Sequence, residues 1–288
     1  MINKRKNNTM IKRHHSELLD SIEMSQRMYE RLWPNRIERL KAGNNADNLG
    51  LYMDEAFDLF AKCFVNNRKK EETLKYLRQA RDFGVANFMY ANYPGIEFSF
   101  VLEDNEFHFT GGTDGAYKNV SVWLDAVYMA IITRANNGVE ELCKTSEEVF
   151  KNANIKPNAF DLAMVQVLKG LFDSEADIKH WILEASRLSY SDAIEPERQE
   201  YIAKITAPTV DLYTCILTRD EQRFNEELES ALQMHQDFWS QTEKRRDDRA
   251  GWVSLPLLAA CVLAVDNKEF NITVESEYIP KWLYKKEF

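Results

Sequence analysis

Apolar residues recur at helical spacing along most of the chain, and this pattern predicts a largely α-helical protein. Residues 120–135 are apolar on most sides, which is typical of a helix at the centre of a fold. Pro34 is expected to kink or end the first helix. The predicted helices cover residues 16–41, 51–65, 69–91, 116–135, 138–150, 158–173, 175–190, 197–217, 220–241 and 252–265.

Two segments follow a different period. Residues 96–110 alternate apolar and polar side chains on either side of Glu103, Asp104 and Asn105, which predicts a β-hairpin. Residues 270–275 also alternate and predict a short strand before an amphipathic tail at 278–284. The expected fold is an all-α, multi-helix domain of packed helical hairpins, with a small β-hairpin near 96–110 and a short C-terminal extended segment.

The 288 residues suffice for one large domain or two small ones. Because no linker or charge block divides the chain, we expect a basic flexible arm at 1–15 followed by a single helical domain at 16–288. The hairpin region near 96–115 is the one candidate seam. Four widely spaced cysteines (Cys63, Cys143, Cys215 and Cys261) predict reduced core residues of a cytoplasmic protein.

Charge is distributed unevenly. The first fifteen residues carry five cationic and no acidic side chains, so residues 16–288 carry −14 when the whole chain carries −9. An acidic body argues against nucleic acid as the main ligand and fits either a basic partner or solubility alone. The longest apolar stretch, residues 252–265, is too short to span a bilayer, and the sequence therefore predicts no membrane segment.

The candidate chemistry is sparse. No histidine pair has metal-binding spacing, and His235 on an apolar helix face is expected to be a core residue. The glycine-rich loop at 111–115 matches neither phosphate-binding glycine pattern and is expected to be a turn. Asp247 and Asp248 lie in a mixed-charge run and are expected to be solvated. The sequence therefore predicts no catalytic, cofactor-binding or metal-binding residues, and no cofactor.

Two segments resemble a known family. They are SVWLDAVYMAIITRANNGVEELC at 121–143, and RFNEELESALQMHQDFW at 223–239 followed by RDDRAGWVSLPLLAACVLAVDNKEFNITVESEYIPKWLY at 246–284. These segments resemble the immunity protein 49 family of bacterial polymorphic toxin systems, and the first 115 residues match nothing familiar. The residues that carry the resemblance, and that are expected to be structural, are Trp123, Arg134, Gly251, Glu275, Ser276, Tyr278 and Pro280.

The resemblance implies an immunity protein that binds and neutralises a cognate antibacterial toxin delivered between cells by a secretion system. It implies no catalytic residues. Exposed acidic residues facing a basic toxin are the candidate contacts: Glu221, Glu226, Glu227 and Glu229. Oligomeric state is left open.

Two alternatives stay open. One is a helical scaffold or regulator that binds a peptide or protein on an extended concave surface. The other is a helical enzyme that reverses a toxin's modification with clustered aspartates and a metal, with Asp114, Asp247 and Asp248 as the first candidates.

Overall fold

Helices dominate the structure, which confirms the all-α class predicted from the spacing of apolar residues. The computed structural model describes residues 10–14, 19–113, 115–190 and 194–288, without the side chains of 19–21. Most of the predicted arm at 1–15 and Asp114 lie outside the described residues. The helices are α1 (Leu19–Lys41), α2 (Leu49–Val65), α3 (Lys70–Asn92), α4 (Val120–Ile132), α5 (Asn136–Cys143), α6 (Glu147–Asn152), α7 (Ala159–Gly170), α8 (Ile178–Leu188), α9 (Pro196–Tyr201), α10 (Ala207–Thr218), α11 (Glu221–Ser240), α12 (Glu243–Arg246), α13 (Leu255–Lys268) and α14 (Lys281–Tyr284).

The chain divides into two compact units. Unit 1 comprises Glu195–Glu287 with the described residues 10–14, and unit 2 comprises the described residues between Glu17 and Ile194 with Phe288. The folding of 16–288 as a single domain stays a prediction. The hairpin, which was the candidate seam, lies within unit 2.

Unit 2 is organised around α3, which packs against both α2 and α4. Gly84 allows α3 and α4 to approach closely, because an added Cβ would lie 2.9 Å from the Cβ of Ala126. Trp123 on α4 is fully buried, and its indole Nε1 donates a hydrogen bond to the Leu142 carbonyl oxygen at 2.9 Å. The ring of Trp123 also meets the ring of Phe150 edge-on. The apolar helix predicted for the centre of the fold therefore lies in the core of this unit.

The predicted hairpin is confirmed. Strands β1 (Glu97–Leu102) and β2 (Asn105–Thr110) pair antiparallel, with Leu102 opposite Asn105. Glu103 adopts the left-handed conformation (φ 53°) that a tight two-residue hairpin turn requires. Phe100 and Phe107 are buried and stack on the inner face.

Unit 1 is built on α10, α11 and α13. The predicted apolar stretch at 252–265 lies within a longer stretch, Arg249–Lys268, that by length and composition alone could cross a membrane. About three-quarters of its apolar window (72%) is buried in the structure, as in the core helix of a folded domain. The four cysteines are free, and Cys63, Cys215 and Cys261 are buried as expected.

Of the two outcomes expected at Pro34, a kink or an end of the first helix, the end is excluded, since α1 continues to Lys41, where the predicted helix also ends. Proline has no main-chain N–H, so the Glu30 carbonyl loses its helical hydrogen-bond partner at Pro34. Both residues are exposed. The helix predicted at 138–150 breaks after α5, where the Thr145 carbonyl accepts a hydrogen bond from Lys169 Nζ.

The short strand predicted at 270–275 was also wrong, since these residues form no strand. Their burial alternates as predicted, with Ile272 and Val274 buried. At residues 271–273 the neighbour of this extended segment is a side chain, whereas Glu275 at its end is hydrogen-bonded to the main chain of Ile11. Asn225 Oδ1 accepts a hydrogen bond from the main-chain nitrogen of Thr273 at 2.7 Å, and Asn225 Nδ2 donates to the Asn271 carbonyl oxygen at 3.1 Å.

Candidate functional site

A groove of unit 2 lies between α3, β1 and the turn from α4 to α5, and we call it the α3–β1 groove. Its volume is about 1020 Å³. The floor is one face of α3, which runs from exposed charged residues to half-buried apolar ones. The floor residues are Glu71, Lys75, Arg78, Asp82, Val85 and Met89. The walls are residues 99–101 and Glu103 on one side, and residues 134–138 with Glu141 on the other.

Asp82 is the most perturbed charged group in this groove. Burial raises the pKa of its carboxyl to about 6, even though the adjacent guanidinium of Arg81, at 2.6 Å, lowers it. Glu103 adds a smaller repulsive contribution that also raises the pKa. Arg78, which also lines the groove, lowers the pKa further, so burial outweighs two arginines at this carboxylate.

Unit 1 carries a shallower patch, of about 480 Å³, where arginines stack on aromatic rings. The guanidinium carbon of Arg245 lies 3.9 Å from the ring centre of Phe238, and that of Arg198 lies 5.1 Å from Tyr201. Arg245 also pairs with Glu200 at 2.9 Å. This hydrogen bond is the largest of several side-chain hydrogen bonds that lower the pKa of Glu200 to about 2. The arginines are thus engaged within the unit.

The four glutamates predicted as toxin contacts all lie on α11 and differ in exposure. Glu221 and Glu226 are exposed, and Glu226 accepts a hydrogen bond from Gln222 Nε2 at 3.0 Å. Glu227 is half-buried and pairs with Arg223 at 3.3 Å. Glu229 is half-buried as well. Their contact with a toxin stays a prediction.

The C-terminal residues of the family resemblance meet around one tyrosine. Tyr278 is fully buried, and its carbonyl oxygen accepts a hydrogen bond from the Ser254 nitrogen at 3.0 Å. Its ring lies edge-on to His235, with the ring centres 4.7 Å apart. Ser276 Oγ accepts from the Tyr278 nitrogen at 3.1 Å, and Pro280 precedes α14 as its N-cap.

Gly251, Glu275 and Arg134 also hold defined positions. An added Cβ at Gly251 would lie 2.6 Å from ring carbons of Trp239, so only glycine fits there. The Glu275 carbonyl oxygen accepts a hydrogen bond from the Ile11 nitrogen at 3.0 Å. Arg134 takes the left-handed conformation (φ 55°) after α4 and lines the α3–β1 groove.

The histidine and aspartates considered for chemistry have structural surroundings. His235 is buried, and its Nε2 donates to the Gly251 carbonyl oxygen at 3.1 Å, as expected for a core histidine. Burial lowers the pKa of its imidazole to about 3, so the ring is neutral. Asp248 accepts a hydrogen bond from the Ala250 nitrogen at 3.0 Å. Asp247 is exposed, and Asp114 is outside the described residues.

Comparison with known families adds one decisive observation. The model of the family described as Immunity protein 49 matches residues 65–283, which is most of the 288-residue chain. The chain belongs to the Immunity protein 49 family. The matched range of this family includes the whole α3–β1 groove and the segment around Tyr278, whereas α1 lies outside it. No curated protein and no solved structure matches the chain.

Sequence reasoning missed the α3–β1 groove. Its floor residues recur every three to four positions along α3, but a polar helix face of this kind is usually solvated surface. Arg134 was singled out only as a family residue. The groove is indicated by the charged face of α3 together with exposed Val101 on β1. These two features come together only when the hairpin packs on α3.

Proposed function

We propose that this Immunity protein 49 family member protects its cell by binding one cognate toxin domain and occluding the toxin's active site. The observation that carries the proposal is the family match over residues 65–283. Stoichiometric occlusion needs only complementary surface on the immunity protein, and the chain offers grooves of mixed charge on rigid helices.

The partner is a toxin domain with a basic surface, delivered by the secretion system of a competing cell. The net charge of −9 supports this choice, because opposite potentials accelerate encounter and fix orientation. The protein acts in the cytoplasm of the cell it protects. Neither nucleic acid nor a membrane is part of the proposed complex, and no cofactor is required.

The test measures how growth of toxin-producing cells depends on the amount of immunity protein. The toxin domain encoded beside this gene is expressed from an inducible promoter, with the immunity protein at several levels in the same cells. Occlusion predicts that growth recovers only when the immunity protein reaches at least the molar amount of toxin. Protection at a small fraction of that amount would instead support the enzymatic alternative.

The enzymatic alternative has its own control. Replacement of Asp114, Asp247 and Asp248 by alanine in one protein removes the aspartates first considered for chemistry. Full protection by this folded triple variant is expected under occlusion. Loss of protection with retained toxin binding would move the assignment to an enzyme.

A further inference from the structure

In the described part of the chain, the sheet consists of β1 and β2 alone. The edge of β1 that faces away from β2 therefore pairs with no other strand there. The two-residue turn makes Leu102 and Asn105 a hydrogen-bonded pair, so hydrogen bonding to β2 alternates from there. Ser99 and Val101 are non-hydrogen-bonded positions, opposite His108 and Glu106. Their N–H and C=O groups therefore point away from β2.

This edge faces the α3–β1 groove. Ser99, Phe100 and Val101 line the groove, whereas no residue of β2 does, and α1 packs on the β2 side of the hairpin. Val101 is exposed over 59% of its surface. Six residues of β1 extend about 20 Å, which matches an added strand of similar length.

Charge within the groove indicates what an added strand carries. The carboxylates of Asp82 and Glu103 lie at the end of the groove near the hairpin turn, and Glu103 accepts a hydrogen bond from Gln79 at 2.7 Å. Arg81 contacts Asp82 and Arg78 also lowers its pKa, yet burial still disfavours the charged carboxylate. A further lysine or arginine, supplied by a partner, would favour the charged forms of Asp82 and Glu103 together.

We propose that the α3–β1 groove receives an extended segment of the cognate toxin, which adds as a third strand to β1 and sets a basic side chain against Asp82 and Glu103. The inference rests on the proposed function, since the toxin is the occupant. Strand addition gives affinity through main-chain hydrogen bonds and specificity through alternate side chains. An exposed strand edge is also a ready template for pairing with another chain.

The first experiment blocks the edge. Val101→Pro removes the outward N–H of β1, and Glu106→Pro makes the matched change on the outer edge of β2, directly across the hairpin. Binding to an inactive form of the toxin encoded beside this gene is measured by calorimetry on the full chain. We expect at least a tenfold loss of affinity for Val101→Pro and less than a threefold change for Glu106→Pro.

The second experiment tests the charge. Asp82→Asn removes the groove carboxylate, whereas Asp104→Asn removes a carboxylate of the hairpin turn that does not line the groove. We expect at least a fivefold weaker complex for Asp82→Asn and no change for Asp104→Asn. Hydrogen exchange of unmodified protein adds a readout that needs no variant, since toxin binding should protect the amides of Ser99 and Val101.

The outcomes separate the two proposals. If the unmodified protein binds the toxin but the β1 amides stay unprotected and both groove variants bind normally, strand addition is wrong and the immunity function stands. If the unmodified protein does not bind the toxin at all, the proposed function fails and the groove proposal fails with it.

Discussion

The hydroxyl oxygen of Tyr278 accepts a hydrogen bond from the main-chain nitrogen of His14 at 3.0 Å, across 264 residues of sequence. The Tyr278 hydroxyl also lies 2.9 Å from Nδ1 of the same histidine. Parallel pairing of Ile11 with Ser276 continues this contact along the chain. One buried phenol thus holds the described residues 10–14 against the C-terminal segment of unit 1.

Tyr278→Phe is expected to lower the free energy of unfolding by about 1–3 kcal/mol, because the variant removes hydrogen bonds in a buried setting without changing the ring. Urea denaturation measures the change. Tyr190→Phe is the matched control, since the Tyr190 side chain is 78% exposed, and its expected effect is below about 0.5 kcal/mol. Equal effects of the two variants would contradict the role given to the Tyr278 hydroxyl.

Asn225 is expected to hold residues 271–273 in place of a strand partner. Asn225→Ala removes the acceptor for the Thr273 nitrogen and the donor to the Asn271 carbonyl. We expect faster hydrogen exchange at the Thr273 amide, by about tenfold for a loss of about 1.4 kcal/mol of local stability. Asn225→Asp keeps the acceptor and should retain most of the protection. Unchanged exchange in the alanine variant would show that packing of Ile272 and Val274 suffices.

His235 makes stability depend on pH in a defined direction. Burial holds the pKa of the folded-state imidazole at about 3, below the unfolded value of about 6.5. Between these values the unfolded chain binds more protons, so this contribution to stability is lost as pH falls from 6.5 towards 3. From pH 7 to pH 5 the expected loss is about 2 kcal/mol.

His235→Gln keeps a hydrogen-bond donor for Gly251 and removes the titration. Denaturation of both proteins at pH 7 and pH 5 isolates the effect, because other titrating groups contribute to both. The variant should lose about 2 kcal/mol less than the unmodified protein over this range. The same pH dependence in both proteins would contradict a neutral, buried His235.

The glutamates of α11 provide a test of electrostatic steering. Replacement of exposed Glu221 and Glu226 by lysine changes the charge by +4 without touching the core. We expect the association rate with the toxin to fall by about tenfold at low salt, with a smaller change in the dissociation rate. Stopped-flow measurements between about 50 and about 500 mM salt should show the difference shrinking. If the association rate of the unmodified protein does not change with salt, electrostatic steering is rejected, although the proposed binding itself is not.

The periodicity of apolar residues predicted most helices because α3, α4 and α11 each bury a continuous face. The same reasoning located the hairpin, where alternation and turn chemistry agree. It failed at 270–275, where alternation correctly predicted burial of Ile272 and Val274 but not their surroundings. The partner of residues 271–273 is the side chain of Asn225, which no local pattern encodes.

The candidate site was less predictable than the fold. The α3–β1 groove joins segments near residues 71–89, 99–103 and 134–141, and its shape exists only after these pack together. The resemblance identified Tyr278 and Gly251, but their partners His14 and Trp239 are distant in sequence. The sequence alone therefore predicts the family and these two residues, whereas the groove becomes visible only in the structure.

Titration of the full chain into an active preparation of the proposed cognate toxin tests the central claim most directly. Residual toxin activity and complex mass are followed together as the immunity protein is added. Occlusion predicts that activity falls linearly to zero at one equivalent, with a single one-to-one complex and both proteins chemically unchanged. Complete loss of toxin activity well below one equivalent, without a stable complex, would contradict it.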